Sequence, residues 1–217
     1  TKGKKQYIEL QGANHVATVY CNGRELGTHK GGFSTFRYEL TPAMKAEGNV
    51  LTVAVTNGVS DIYPQNADFT FYGGLYRDVN LICVKESHFD LDHFGGPGLA
   101  VNAEVKGKDA EVWVRTWHTA KDGVVTIQLK DAEGNVVATS EGTDTKITIE
   151  NVHLWDGIED PYLYTCEAVL SVNGIPMDAV SASFGARTFH VDPKKGFFLN
   201  GRSYPFRGVC RHQERKA

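Results

Sequence analysis

The chain has 217 residues, 41% of them hydrophobic, and a formal net charge of -3 at pH 7. This length and apolar content allow one or two domains, each with its own core. The charges are mixed in sign, and no apolar run approaches the ~20 residues of a membrane span, so we expect neither a nucleic acid nor a membrane as partner.

Strand patterns dominate the first part of the chain. Apolar and polar residues alternate, as in strands with one buried face, over residues 6–10, 15–20, 33–40 and 50–55. Asn22-Gly23 lies between two such runs and predicts a type I′ hairpin turn. Thr41-Pro42 predicts one helical turn with Thr41 as its N-cap.

A long polar and aromatic loop, residues 57–72, interrupts this pattern before a closing strand at 79–84. Loops of this length in compact domains are usually functional or disordered, and the aromatic residues argue against disorder. Its rings are Tyr63, Phe69, Phe71 and Tyr72. They are able to stack on a sugar, but we expect most of them to be buried at domain contacts.

A second set of strands follows residues 86–92. Strand patterns recur at residues 99–105, 110–118, 124–130, 146–152, 164–172 and 180–184, with Gly- and Asn-containing turns between them. Their number and spacing are typical of an immunoglobulin-like β-sandwich of about 100 residues. Trp155-Asp156 and residues 160–164 predict a packed corner between two strands.

Four cysteines, Cys21, Cys83, Cys166 and Cys210, are widely spaced, with no C-x-x-C pair and no histidine at metal-ligand spacing. We interpret them as buried free thiols, which favours a reducing compartment and a cytoplasmic location. Disulfide pairing is the alternative.

The end of the chain combines an apolar strand, an Asn200-Gly201 turn, a second strand and the charged segment 207–215. This passage resembles the first barrel strand of glycoside hydrolase family 2, the family of the large β-galactosidases and β-glucuronidases. Residues 22–79 are similar to the jelly-roll sugar-binding domain of that family, and residues 154–187 to its immunoglobulin-like domain. The three passages occur in the family's order.

The resemblance implies an all-β chain: a jelly-roll (galactose-binding-like) sandwich, truncated at its start, over residues 1–86 and an immunoglobulin-like β-sandwich over 87–188. Residues 189–217 would begin a truncated (β/α)8 barrel. The parent would be a retaining enzyme of carbohydrate catabolism that cleaves terminal β-D-galactosides. Loop residues 67–74 favour this activity over β-glucuronidase or β-mannosidase. The aglycone, a homo-oligomeric parent and a signal peptide before Thr1 are left open.

Retaining glycosidases use two carboxyl groups about 5 Å apart. In the family these are glutamates on later barrel strands, so we expect no catalytic residue in this chain and no turnover from it. The resemblance assigns Asp68 to galactose binding and to a monovalent cation such as sodium. An Asx-type loop cap is the other interpretation of Asp68.

By the same resemblance, Glu214 and His212 are assigned to substrate binding: Glu214 contacts sugar hydroxyls at the barrel mouth, and His212 supports the residues that make such contacts. The alternative is that both belong to a disordered tail. No cofactor is expected in this part of the enzyme.

A protein of another class stays open as an alternative, namely a non-enzymatic carbohydrate-binding or adhesion protein made of tandem β-sandwiches. Such a module has no use for the charged segment 207–215, which therefore favours the enzyme. A following barrel with two catalytic glutamates would decide for the enzyme, and a third sandwich would decide against it.

Overall fold

The computed structural model describes residues 4–58, 62–64 and 71–210, and it consists of two compact units. The N-terminal unit comprises the described residues up to Glu86, together with Leu91–Gly96 and Cys210; the C-terminal unit comprises Ser87–Asp90 and Pro97–Val209. Almost all regular structure is strand, which confirms the predicted all-β class. Within the described residues, no helix has the length and hydropathy of a membrane span.

The N-terminal unit is a sandwich of short antiparallel strands. The described strands are β1 (Lys4–Leu10), β2 (Ala13–Asn14), β3 (Val16–Cys21), β4 (Arg24–Lys30), β5 (Phe36–Glu39), β6 (Leu51–Thr56), β7 (Gly74–Leu75) and β8 (Val79–Lys85). Two sheets have the orders β5-β1-β8 and β4-β3-β6, and β2 pairs with β7. Alternate residues of β1 and β3, among them Leu10 and Val19, are fully buried and form the core with Phe36 and Leu40.

The predicted Asn22-Gly23 turn joins β3 to β4. Both residues have positive φ, 53° and 82°, as a type I′ turn requires. The Asn22 side chain also reaches beyond its own hairpin. Its amide nitrogen donates to the Ala43 carbonyl at 2.8 Å, and its oxygen accepts from the Val50 N–H at 3.0 Å.

The predicted role of Thr41 as a helix cap is wrong. A 3-10 helix spans Thr41–Ala43, but its N-cap position is Leu40, and no side-chain capping bond is present there. The Thr41 hydroxyl instead accepts the backbone N–H of Gln6 at 2.9 Å. Thr41 therefore joins the turn to β1, a contact 35 residues distant in sequence that a local pattern does not reveal.

A buried ion pair holds residues 91–96 against the sheet of the N-terminal unit. Arg37 and Glu9 have side chains 9% and 11% exposed, and their charged atoms lie 2.6 Å apart. Arg37 also donates to the carbonyls of Leu91 and Gly96, each at 2.8 Å, and Asn80 donates to Glu9 at 3.0 Å. Burial alone would raise the pKa of Glu9, but the hydrogen bonds from Asn80 and Arg37 outweigh it and lower that pKa.

This lowered pKa predicts acid sensitivity in the N-terminal unit. The stabilisation by ionised Glu9 is complete above its ordinary pKa, near 4.5, and is lost as pH falls through the lower pKa of the folded state. Amide hydrogen exchange in β1 and β8, corrected for intrinsic rates, should accelerate below about pH 4.5 more in the wild type than in Glu9→Gln. Equal pH dependence in the two proteins would contradict this assignment.

The C-terminal unit contains the immunoglobulin-like sandwich. Its described strands are β9 (Leu99–Lys106), β10 (Asp109–Thr116), β11 (Gly123–Lys130), β12 (Val136–Glu141), β13 (Asp144–Ile149), β14 (Tyr164–Val172), β15 (Ile175–Phe184), β16 (Phe189–Asp192), β17 (Gly196–Leu199) and β18 (Arg202–Ser203). The sheets β13-β10-β9 and β12-β11-β14-β15 enclose a core that includes Val112, Ile127 and Leu170, each 0% exposed. Sequence patterns missed β12, in which four of the six residues are exposed and two are partly buried.

The predicted corner at Trp155 is packed, and a hairpin lies against it. Strands β16, β17 and β18 form a small sheet with Asn200-Gly201 at positive φ in its turn. Asn200 donates to the Trp155 carbonyl at 3.1 Å and to Asp156 at 2.9 Å, and Arg202 forms an ion pair with Asp156 at 3.0 Å. The hairpin is therefore part of the C-terminal unit.

All four cysteines are free thiols, as predicted. Cys21 and Cys166 are buried, and burial raises the pKa of the Cys166 thiol to about 12. The prediction of burial is wrong for Cys83 and Cys210, which are exposed. In the described residues, no group of three or more His, Cys, Asp or Glu side chains is arranged to hold a metal ion.

Candidate functional site

The predicted site residues Asp68, His212 and Glu214 all lie outside the described residues, so their roles stay predictions. The structure does describe both flanks of the loop that contains Asp68. These flanks are residues 57–58, 62–64 and 71–72. We therefore take the side chains that hold these flanks in place as the candidate functional site.

Asn14 connects the two sides of the loop. It lies in β2, opposite Gly74 of β7, and is only 1% exposed. Its side-chain amide donates to the Tyr72 carbonyl at 2.6 Å, and its side-chain oxygen accepts from the Tyr63 hydroxyl at 3.0 Å. One buried amide thus satisfies a donor and an acceptor from residues on either side of Asp68 in sequence.

Gly32 completes this arrangement, which we call the Asn14 cluster: Asn14, Gly32, Tyr63, Tyr72 and Tyr76. The Gly32 N–H donates to the Tyr63 hydroxyl oxygen at 3.0 Å, and its carbonyl accepts from the Tyr76 hydroxyl at 2.6 Å. A Cβ at Gly32 would lie 2.6 Å from the Asn14 side-chain oxygen and 2.7 Å from the Tyr63 hydroxyl. Only glycine therefore allows this close approach without displacement of its neighbours.

Aromatic rings surround the Asn14 cluster. The buried His15 ring lies 4.2 Å from that of Tyr63, and the Phe33 ring stacks 5.6 Å from Tyr63. Phe33 is 56% exposed and Tyr72 is 53% exposed. Of the four rings predicted to be mostly buried, Tyr63 and Phe71 are partly buried, Tyr72 is exposed, and Phe69 lies outside the described residues. The exposed face of Tyr72 suits contact with a sugar ring.

Sequence reasoning found the loop but missed Asn14, Gly32 and Tyr76 as the residues that hold it. The Gly31-Gly32 pair was the available signal, since glycines beside a strand often mark a close backbone approach. The partners themselves are 31 to 58 residues apart in sequence, and no local spacing joins them.

Comparison with known families explains the two units. The model "Glycosyl hydrolases family 2, sugar binding domain" matches residues 2–85, and the model "Glycosyl hydrolases family 2" matches residues 97–187. The chain belongs to glycosyl hydrolase family 2. The predicted jelly-roll and immunoglobulin-like folds are thereby confirmed for this family 2 chain.

Family 2 relatives include enzymes named for different sugars. A β-glucuronidase of Bacteroides fragilis is 36% identical over 99% of this chain and 33% of the relative. A β-galactosidase of Bacteroides ovatus is 34% identical over 98% of this chain and 26% of the relative. The crystal structure of a Bacteroides uniformis β-glucuronidase has a TM-score of 0.92 and 31% identity over 99% of this chain and 28% of that chain. The family 2 chain thus spans about a third or less of each of these relatives.

Proposed function

We propose that this chain provides the sugar-binding and immunoglobulin-like domains of a retaining family 2 β-glycosidase and has no turnover of its own. The observation that supports the proposal is the match of two family 2 models, in order, to residues 2–85 and 97–187. The enzyme's two catalytic carboxyl groups would belong to a barrel domain encoded with this chain.

None of the described carboxyl groups with a shifted pKa has the raised pKa of a general acid. A glycosidase needs a general acid whose pKa is raised, so that it keeps a proton at working pH. In the part of the chain that the structure describes, every carboxyl group with a shifted pKa has it lowered. These groups are Glu9, Glu111, Asp131, Asp156 and Asp192.

Two substrate classes are candidates for the enzyme. The loop at residues 67–74 led to the prediction of β-galactosides, and the B. ovatus β-galactosidase is a relative with that activity in its name. The names of the relatives do not confirm this specificity, because they include a β-glucuronidase that is at least as similar to this chain as the β-galactosidase. We rank β-glucuronides first, since the B. fragilis β-glucuronidase is 36% identical to this chain and the B. ovatus β-galactosidase 34%.

The test compares the 217-residue chain with the complete product of its gene. Both are assayed on p-nitrophenyl β-D-glucuronide and p-nitrophenyl β-D-galactoside. We expect the complete enzyme to hydrolyse one of them with retention and the short chain to stay at background. Turnover by the short chain that disappears when one of its own carboxylates is replaced would overturn the proposal, and so would a complete protein with a third sandwich in place of a barrel.

A second experiment tests the proposed role of Asp68 in sugar and sodium binding. In the complete enzyme, Asp68→Asn keeps the shape but removes the charge that ligates a cation, so kcat/KM should fall on the order of 10- to 100-fold, as for loss of a charged hydrogen bond. The sodium dependence of kcat/KM should disappear. Asp122→Asn, an exposed turn residue, is the control. Unchanged kinetics together with a much lower Tm would make Asp68 a loop cap.

A further inference from the structure

The outward face of the β13-β10-β9 sheet carries a tryptophan and an exposed arginine among charged groups of both signs. Along β10, Val112 and Val114 point into the core, while Glu111, Trp113 and Arg115 alternate with them on the opposite face. The register places Asn102 of β9 beside Trp113. It places Asp144 of β13 beside Arg115.

Trp113 and Arg115 stack on each other at the centre of this face. The guanidinium carbon of Arg115 lies 4.2 Å from the Trp113 ring centroid and 5.9 Å from that of Trp117. Trp113 is 37% exposed, and its indole N–H donates to the Asp144 carboxylate, which fixes the ring orientation. We call Asn102, Trp113, Arg115 and Asp144 the Trp113 shelf.

Arg115 differs from the other charged groups on this face. Glu111 accepts hydrogen bonds from both Lys106 and Lys146, at 3.2 and 3.0 Å, so each of these three charges has a partner of opposite sign. The Arg115 side chain is exposed and, among the described residues, forms no hydrogen bond or ion pair; its guanidinium lies over the two indole rings. A guanidinium stacked on an aromatic ring keeps its in-plane N–H groups directed outward, where they fit a carboxylate in a bidentate manner.

The shape beside the shelf suits one sugar ring better than a protein surface. A depression of about 160 Å³ is lined by Ala100, Val101, Asn102, Trp113 and Arg115. A stable protein interface needs roughly 800 Å² from each partner with a largely uncharged centre. Here the centre is a single indole bordered by Glu111 and Lys146, so a small ligand is favoured.

We propose that the Trp113 shelf binds an acidic saccharide, with a uronate residue as its recognition element. The apolar C–H face of the pyranose packs on the exposed part of the Trp113 indole, and the sugar carboxylate accepts two hydrogen bonds from Arg115. The Asn102 amide is placed to bond a ring hydroxyl. The Asp144 carboxylate opposes an anionic ligand but has one oxygen engaged by the indole N–H.

Binding at such an open shelf is weak, with a Kd of about 0.1–1 mM, because the ligand stays largely solvated. The site lies within the C-terminal unit and does not depend on the proposed glycosidase activity. It can be tested in the 217-residue chain whatever the enzyme hydrolyses.

The experiment is an NMR titration of the 217-residue chain, observed through its three tryptophan indole N–H signals, with Trp113→Phe used to assign the Trp113 signal. The probes are a β-1,4-linked tetramer of glucuronic acid and cellotetraose, which differ only in oxidation at C6. We expect the Trp113 signal to shift with the acidic tetramer and the affinity for cellotetraose to be at least about 10-fold weaker. Arg115→Gln should reduce affinity for the acidic tetramer about 10-fold without a change in Tm.

Two further variants separate this proposal from its rivals. Arg187→Gln is the matched control, because Arg187 lies over Trp155 at 5.2 Å in the same unit; it should leave binding unchanged. Arg115→Lys keeps the charge without the planar fork and should also weaken binding. Absence of a Trp113 shift, equal binding of the two tetramers, or equal loss in Arg187→Gln would each overturn the proposal. Self-association that Arg115→Gln abolishes would identify a second copy of the chain as the occupant instead.

Discussion

Replacement of Arg37 with methionine is expected to lower the free energy of unfolding of the N-terminal unit by about 3–5 kcal/mol. The variant leaves the Glu9 carboxylate, 11% exposed, buried without its cation. It also removes the donor of the Leu91 and Gly96 carbonyls, so residues 91–96 lose their attachment to the sheet. The cost comes from the charge left behind more than from the strength of the pair itself.

The two units can be observed separately in this experiment. All three tryptophans, Trp113, Trp117 and Trp155, lie in the C-terminal unit, so their fluorescence reports that unit alone. Amide hydrogen exchange in β1, β5 and β8 reports the N-terminal unit.

Lys5→Met is the matched control for Arg37→Met. Lys5 pairs with Glu39 in the same sheet, but the two side chains are 25% and 30% exposed, so the loss should be at most about 1 kcal/mol. The double variant Glu9→Leu/Arg37→Met should recover part of the stability, because no buried charge remains. A double variant as unstable as Arg37→Met would show that the carbonyl contacts, and not the charge, determine the effect.

Asn14→Leu is expected to destabilise the N-terminal unit by about 2–4 kcal/mol, since two partners lose their hydrogen bonds to Asn14 at ~1–3 kcal/mol each. The substitution keeps the branched heavy-atom shape of the side chain, but its methyl groups are larger than the amide atoms and add some steric strain. Amide hydrogen exchange at residues 62–63 and 71–75 should accelerate more than exchange in β1. Uniform acceleration of exchange through the whole N-terminal unit would mean that Asn14 stabilises the core of the unit rather than the loop.

Gly32→Ala tests the same cluster from the backbone side. The new Cβ would lie within 2.7 Å of Asn14 and Tyr63, so the cluster must move, at a cost of about 1–3 kcal/mol. Gly58→Ala is its control, because a Cβ at Gly58 has no described neighbour within 4 Å. In the complete enzyme, Gly32→Ala should also lower kcat/KM if the loop carries Asp68 to the substrate.

Sequence patterns predicted those parts of the fold that depend on neighbouring residues, namely strands and tight turns. Alternation placed most strands. The pairs Asn22-Gly23, Asn173-Gly174 and Asn200-Gly201 placed three hairpin turns, because a type I′ turn needs two consecutive residues with positive φ. The role of Thr41 and the Asn14 cluster were not predictable in this way. They depend on partners 31 to 58 residues away, which only the packed sandwich brings together.

The site predictions have a different status. Asp68, His212 and Glu214 rest on family resemblance, and no described contact tests them. The Trp113 shelf had no sequence signal of its own, because Asn102 and Asp144 approach β10 only through strand pairing.

The three Asn-Gly turns differ in whether the asparagine side chain makes hydrogen bonds to other segments of the chain. In the described chain, the Asn173 side chain makes no hydrogen bond, so the β14–β15 hairpin is complete by itself. Asn22 and Asn200 each use both amide atoms to bind segments outside their own turns, Ala43 and Val50 in one case and Thr188 and Trp155 in the other. Asparagine-to-glycine exchange would therefore be nearly silent at position 173. At positions 22 and 200 the same exchange would preserve the bend yet disconnect distant parts of the chain.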